Sequence, residues 1–444
     1  MIICGDALTE LRKLPDESVH GCVTSPPYWG LRDYGTAKWE GGDPECDHKD
    51  ARLRSRFERG FKDGDKQATN IGSIGTERRW ADTCPSCGAH RIDSQLGLER
   101  TPEEYVTKLV EVFREVKRVL RKDATLWLNL GDSYAQTRAG GNDGVPLEWQ
   151  RPSRANKSRV PKTFPGLKAK DLVGIPWRVA FALQADGWWL RSDIIWAKPN
   201  PMPESVTDRP TRSHEYIFLM SKNAKYYFDQ EAVKEKSIGI WNSAEDWASR
   251  QNLTAPELAK GADRKLQRTR GFGTHHPDED KSGRNIRSVW TITTKPFKEA
   301  HFATFPPDLP ERCIKAGTSE KGVCPKCGAP WAREVKRQSK EVPPSTLDRF
   351  GTGEAGVHRR IGGQYQKFLN ENPHETVAWR PSCVCNAGDP ISATVLDPFF
   401  GAGTVGVVAK QLGRDFIGIE LSPKYCEMAE KRIAGIAYQM EISA

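Results

Sequence analysis

Leu396-Asp397-Pro398-Phe399-Phe400-Gly401-Ala402-Gly403-Thr404 is the stretch whose reading decides the fold. An apolar run ends in an acid and a proline, breaks into a glycine-rich turn, and resumes as Val405-Gly406-Val407-Val408 with helical composition. Gly401, Gly403 and Gly406 satisfy G-x-G-x-x-G between a strand and a helix, the place where backbone must approach a ligand closely. Glu420 ends the next apolar segment at close to the roughly 20-residue spacing of an acid that accepts both ribose hydroxyls. An adenosine is therefore expected over this loop.

Working outward, residues 393–398 read as a strand, 404–412 as a helix, 415–421 as a strand and 422–433 as a helix with Ser422 at its cap and Pro423 next. At the other end of the chain, 1–4 and 19–24 read as strands around a short helix through Leu8, Leu11 and Leu14. Thr101-Pro102-Glu103-Glu104 is a helix start, with threonine as cap and proline in the first turn. Val106, Leu109, Val110, Phe113, Val116, Val119 and Leu120 then recur on one face. Strands at 125–130, 188–196 and 214–221 and a helix at 176–186 complete an α/β alternation, which predicts a mainly parallel, Rossmann-like sheet covered on both faces.

The chain has 444 residues, 37% hydrophobic and 28% charged, enough for one large core with polar insertions. No apolar run reaches the roughly 18 residues that would cross a bilayer, and the start lacks the layout of a secretory signal, so the reading is cytosolic with no membrane partner. The formal charge is +9. Residues 151–170 carry Arg151, Arg154, Lys157, Arg159, Lys162, Lys168 and Lys170 without an acid, read either as a solvated loop or as one that tracks phosphates.

Either a dinucleotide or S-adenosylmethionine would place an adenosine on the glycine loop. Asp397 would be an awkward anion beside a pyrophosphate but suits the ammonium of a methionine moiety. His301-Phe302-Ala303-Thr304-Phe305-Pro306 offers an aromatic and polar segment that could close over that moiety.

Thr24-Ser25-Pro26-Pro27-Tyr28-Trp29 supplies the second half of the chemistry. An exocyclic amino group on cytosine or adenine is a poor nucleophile because its lone pair is delocalised into the ring. A site that methylates it must accept its hydrogens and aim the lone pair at the methyl group. The Ser25 Oγ and the Pro26 carbonyl can be those acceptors, since Pro26 and Pro27 fix φ and contribute no N–H. Tyr28 would stack on a base swung out of the duplex. Covalent attack on cytosine C5 needs a thiol presented after a proline, and no cysteine here follows one.

Eleven cysteines in a cytosolic chain argue for metal ligands or free thiols rather than disulfides. Cys84-Pro85-Ser86-Cys87-Gly88 and Cys324-Pro325-Lys326-Cys327-Gly328 are knuckle turns with two thiolates each. Cys46 and His48 complete the first set and Cys383 and Cys385 the second, giving two closed structural Zn²⁺ sites, or one ion shared by both knuckles. Cys4, Cys22, Cys313 and Cys426 read as inert core thiols.

With these residues in hand, the chain closely resembles the amino-group DNA methyltransferases that make N4-methylcytosine or N6-methyladenine, of the permuted type with the catalytic motif ahead of the cofactor motif. Thr24 to Tyr28 resembles the catalytic motif. The stretch with Asp397, Phe399, Gly401, Gly403 and Thr404 resembles the S-adenosylmethionine loop, Glu420 the ribose acid, and the segment with His301, Phe302, Thr304 and Phe305 the one preceding that loop. Asp6, after Gly5, looks like the acid that contacts the adenine amino group. The resemblance implies a seven-stranded sheet in which the first strand lies beside the strand ending in Glu420. It also implies a double-stranded DNA partner and leaves the oligomeric state open, a homodimer included. Serine at position 25 followed by Trp29 is more typical of cytosine-N4 enzymes than of adenine enzymes.

The expected organisation is a catalytic half in 1–34 and 96–224, a zinc-knuckle insertion in 35–95, a target-recognition region in 225–295, a cofactor half in 296–317 and 391–444, and a second knuckle insertion in 318–390. No restriction-nuclease motif is visible in the sequence, which reads as a stand-alone, phage-like methylase. A dinucleotide oxidoreductase would use the same glycine loop but leave the proline turn without purpose. A non-catalytic zinc protein that binds nucleic acid is the reading from another class.

Overall fold

In the computed structural model, which describes residues 1–30, 36–48, 52–53, 79–80, 83–99, 101–135, 166–168, 170–235, 284–294, 305–336 and 375–436, the apolar runs form strands. The chain opens with β1 (Ile2–Cys4), α1 (Ala7–Leu11) and β2 (Val19–Thr24). Val19, Cys22, Val23 and Thr24 of β2 are all buried, as a central strand covered on both faces requires. Short strands β3 (Lys38–Glu40), β4 (Arg52–Leu53), β5 (Arg79–Trp80) and β6 (His90–Ile92) follow, β3 pairing with β6 and β4 with β5, both antiparallel.

The next helix, α2 (Pro102–Val119), starts where expected: the Glu104 amide donates to the Thr101 hydroxyl at 3.1 Å. Its buried face is Tyr105, Leu109, Val112, Phe113, Val116 and Val119. Then come β7 (Leu120–Leu130), α3 (Ile175–Ala185), β8 (Trp189–Ala197), β9 (His214–Ser221) and β10 (Val289–Thr291). The chain closes with α4 (Asp308–Gly317), β11 (Trp331–Lys336), β12 (Glu375–Pro381), β13 (Thr394–Asp397), α5 (Thr404–Gln411), β14 (Asp415–Glu420) and α6 (Pro423–Ala434).

The main sheet has the order β1-β14-β13-β2-β7-β9-β8-β10. Strands β1, β14, β13, β2 and β7 run parallel, β9 is antiparallel to both its neighbours, and β10 is parallel to β8. The α/β sheet is the one expected, with the first strand beside the strand ending in Glu420 and Cys4 opposite that residue. It carries eight strands rather than seven. The additional strand, β10, is three residues inside a stretch read as irregular, too short to show periodicity, and is anchored by Trp290, 2% exposed beside Trp127.

The thiol assignment needs one correction. Cys4 and Cys426, read as inert, form a disulfide with Cα atoms 6.2 Å apart, because α6 folds back over the edge where β1 joins β14. Cys22 and Cys313 are free and buried, and burial pushes both thiols upward. Ser422 occupies the cap position of α6 without a side-chain cap bond, its amide donating instead to Glu420.

The chain divides into two compact units, Met1–Tyr227 with Ser288–Gly317 and Ser392–Ala444, and Phe228–Arg287 with Thr318–Ile391. The first holds the main sheet, and the second holds the antiparallel β11–β12 pair. Most of the basic loop at 151–170 lies outside the described residues, as do residues 236–283 of the expected recognition region and His301, Phe302 and Thr304. Within the described part of that loop, Lys170 pairs with Asp208 at 2.8 Å.

Candidate active site

Parallel strands place their carboxyl ends at one edge, and ligands of such sheets bind there. Cys4, Glu420, Asp397, Thr24 and Leu130 end β1, β14, β13, β2 and β7 at that edge. Because β9 is reversed, its first residues, His214 and Glu215, lie opposite Ala197 and Trp196 at the end of β8. All these ends open on one cavity of about 1110 Å³ in the first unit, lined by Asp6, Ser25, Pro26, Pro27, Tyr28, Phe305, Asp397, Phe399, Gly401, Thr404 and Glu420. Of the described residues expected to hold the cofactor, Gly403 alone is absent from the lining. It has φ +77° at the start of α5, and a Cβ there would meet the Ala429 Cβ at 2.9 Å, so its smallness serves helix packing.

On the glycine-loop side, Gly401 has φ +51° and open space around it, an approach that only glycine makes without strain. Glu420 holds the loop from below, accepting the Gly401 amide at 2.7 Å and the Ser422 amide at 2.8 Å. Burial raises the Glu420 carboxyl above its ordinary range. Asp397 accepts the Thr24 hydroxyl at 2.6 Å and the Phe399 amide at 3.1 Å, yet burial pushes its carboxyl up to about 7. Asp6 caps α1, accepting the Thr9 amide at 2.9 Å.

The proline turn is held from its flanks, since two of its residues have no N–H of their own. Tyr105, fully buried on α2, donates its hydroxyl to the Pro27 carbonyl at 2.8 Å. The Tyr28 ring lies so close to Gly131 that a Cβ there would come within 2.4 Å of it. Its hydroxyl sits 2.7 Å from Glu215 Oε2, 3.0 Å from Asn129 Oδ1 and 3.4 Å from the Ser25 Oγ. Burial, and then the Glu215 charge, push the phenol well above its ordinary value, so it stays a donor. Glu215 in turn pairs with Lys198, which lies over the Trp196 ring at 4.3 Å from its centre.

Asn129, Lys198, Glu215 and Tyr105 were not legible as site residues. The available signal was positional: Asn129 is a polar residue near the end of an apolar strand, while Lys198 and Glu215 flank the ends of two others.

Both cysteine sets come together. Donor atoms of Cys46, His48, Cys84 and Cys87 lie within 4.8 Å of one another, and so do those of Cys324, Cys327, Cys383 and Cys385. Each knuckle makes the same turn: the Cys84 amide donates to Ala89 and the Gly88 amide to Cys84, and the Cys324 amide to Ala329 and the Gly328 amide to Cys324, all at 2.8 Å. Backbone amides, that of Cys327 first, lower the Cys324 thiol to about 7. The donor atoms thus gather as two separate four-residue groups, one in each unit.

A mainly parallel α/β sheet whose glycine loop and proline turn open on one cavity is the arrangement expected of an α/β methyltransferase. The model of the N6/N4 DNA methylase family matches residues 19–324 and 383–431, and the chain belongs to that family. It is 35% identical over 436 residues to the Type II methyltransferase M.Cfr9I of Citrobacter freundii, covering 97% of this chain and 86% of that one. To the Type II methyltransferase M.SmaI of Serratia marcescens it is 34% identical over 436 residues, covering 97% and 90%. Among solved structures it is similar to the cytosine-N4-specific PvuII DNA methyltransferase, with a TM-score of 0.43, 15% identity and coverage of 99% and 88%.

Proposed function

We propose that this protein moves a methyl group from S-adenosylmethionine to the exocyclic amino nitrogen of a base swung out of double-stranded DNA, with cytosine N4 preferred over adenine N6. The observation that carries the reading is that the acceptor turn after β2 and the glycine loop after β13 are joined by the Thr24–Asp397 hydrogen bond and open on one cavity. The donor set fits the cofactor. Glu420 is a buried acceptor for ribose hydroxyls, Asp397 a buried acid whose charge an ammonium would stabilise, and Gly401 leaves room for close approach.

When bound, S-adenosylmethionine supplies an electrophilic methyl on a sulfonium. The Ser25 Oγ and the Pro26 carbonyl accept the hydrogens of the base amino group and turn its lone pair toward that methyl, while Tyr28, anchored by Glu215 and Asn129, offers the surface on which the base stacks. Rate enhancement then comes from positioning and fixed dipoles, without a covalent intermediate on the protein. The preference for cytosine rests on serine rather than aspartate at position 25 and on Trp29 after the motif.

Structural Zn²⁺ fits both four-donor sets, which are sulfur-rich and closed. Around the first, the buried core among the described residues is Cys84 and Ala89 with Trp39 packed against it, a small core that a bound metal would reinforce. The test of the function is incubation with duplex DNA and labelled S-adenosylmethionine, followed by mass analysis of nucleosides. N4-methylcytosine is expected. N6-methyladenine would move the target, and unmodified DNA would leave the non-catalytic reading.

A further inference from the structure

The insertion that carries the first cysteine set reads in the sequence as an appendage, but its exit strand leads straight to the catalytic turn. Trp39 on β3 stacks on the His48 ring with centres 4.6 Å apart, and β3 is paired with β6 through Trp39 opposite Arg91. One residue past β6, Asp93 accepts the Thr36 hydroxyl at 3.2 Å and the Gln95 amide at 3.1 Å. Thr36, Ser94, Gln95 and Leu96 then form part of the wall of the cavity that also contains Pro27 and Tyr28.

The next residue locks the turn itself. Gly97, with φ +94°, accepts the Gly30 amide at 2.8 Å and passes so close to the turn that a Cβ would sit 2.9 Å from the Tyr28 carbonyl oxygen. The Trp29 indole donates to the Glu99 carbonyl at 3.0 Å, and the Gly97 amide donates to the Glu99 carboxylate at 2.8 Å. A turn built on two prolines has few donors with which to hold itself, so outside contacts of this kind decide where its acceptors point.

We propose that the Cys46–His48–Cys84–Cys87 centre is a positioning element of the active site: a metal bound there fixes the 93–97 segment, and that segment fixes the catalytic turn. This rests on the zinc reading above. Among the described residues of the lobe the buried core is Cys84 and Ala89 with Trp39 packed on it, so a metal there would reinforce the order of the exit strand, and the segment after that strand is tied to residues 29 and 30 by backbone and indole hydrogen bonds. The second cysteine set lies in the other unit.

The experiment combines metal content by plasma mass spectrometry with hydrogen exchange of peptides spanning 26–31 and 94–99, on full-length wild type, Cys84→Ser, Cys327→Ser and Asp93→Ala. Cys84→Ser is expected to lose one metal equivalent and to speed exchange in both peptides by about tenfold or more. Cys327→Ser is expected to lose one equivalent and leave both peptides unchanged. Asp93→Ala breaks the link while leaving all four ligands in place, and is expected to keep both metals yet speed exchange in the 26–31 peptide and lower turnover, with cofactor affinity held. Wild type without bound metal overturns the zinc reading and this inference with it. Loss of metal from Cys84→Ser with unchanged exchange, or Asp93→Ala with unchanged exchange, overturns this inference alone.

Discussion

The Thr24 hydroxyl donates to the Asp397 carboxylate across 2.6 Å, between two buried side chains 373 positions apart in the chain. The bond ties the end of the strand that carries the acceptor turn to the end of the strand that carries the glycine loop. Thr24→Val keeps the shape and removes the donor, leaving Asp397 a poorer host for negative charge. A loss of about 1–2 kcal/mol in stability and about tenfold in S-adenosylmethionine affinity is expected, read by denaturant titration and calorimetry.

Asp397 also sets a pH dependence. Its carboxyl is pushed up to about 7 by burial, whereas in the unfolded chain it ionises near 4. Between those values the folded, cofactor-free protein holds the extra proton, so this group makes stability fall as pH rises through the window and level off above it. A cofactor ammonium favours the carboxylate, so binding releases the proton and affinity climbs with pH toward about 7, by at most roughly tenfold per unit. Calorimetry near pH 6 in buffers of different ionisation enthalpy should show close to one proton released. No release, together with a flat affinity profile, would falsify the pairing.

Ser25→Ala removes one of the two acceptors proposed for the base amino group, together with the long 3.4 Å contact between the Ser25 and Tyr28 hydroxyls. Turnover is expected to fall by about a hundredfold or more while the cofactor dissociation constant stays within about threefold. Near-normal single-turnover rates would count against the role given to Ser25.

Glu215→Gln tests the anchor of Tyr28. The amide keeps the size but removes the charge that faces Lys198 and receives the phenol proton. A drop of about tenfold in kcat with little change in KM for the cofactor is expected, and Tyr28→Phe should reproduce most of it. If the two changes proved additive, the residues would not be acting through one contact.

Much of this was readable before any coordinates, because it depends on local chemistry. β2 ends where its apolar run ends, at Thr24; α2 starts at the threonine cap written into Thr101-Pro102-Glu103-Glu104; and Gly401 and Glu420 meet as their spacing requires. What escaped depends on register between distant strands. Glu215 reaches Tyr28 only because β9 runs backward beside β7, and Cys4 reaches Cys426 only because α6 folds back over the expected β1–β14 pair. Nothing within a few residues of either partner encodes those meetings.

The strand order has a consequence for how the protein is made. Emerging from the ribosome, β1 has no neighbour to pair with and β2 keeps one edge bare until residues 394–420, which supply β13 and β14, have been translated. The donor pocket therefore closes late, from contacts of very long sequence separation, and a nascent chain halted before that point carries the acceptor turn without a floor beneath it.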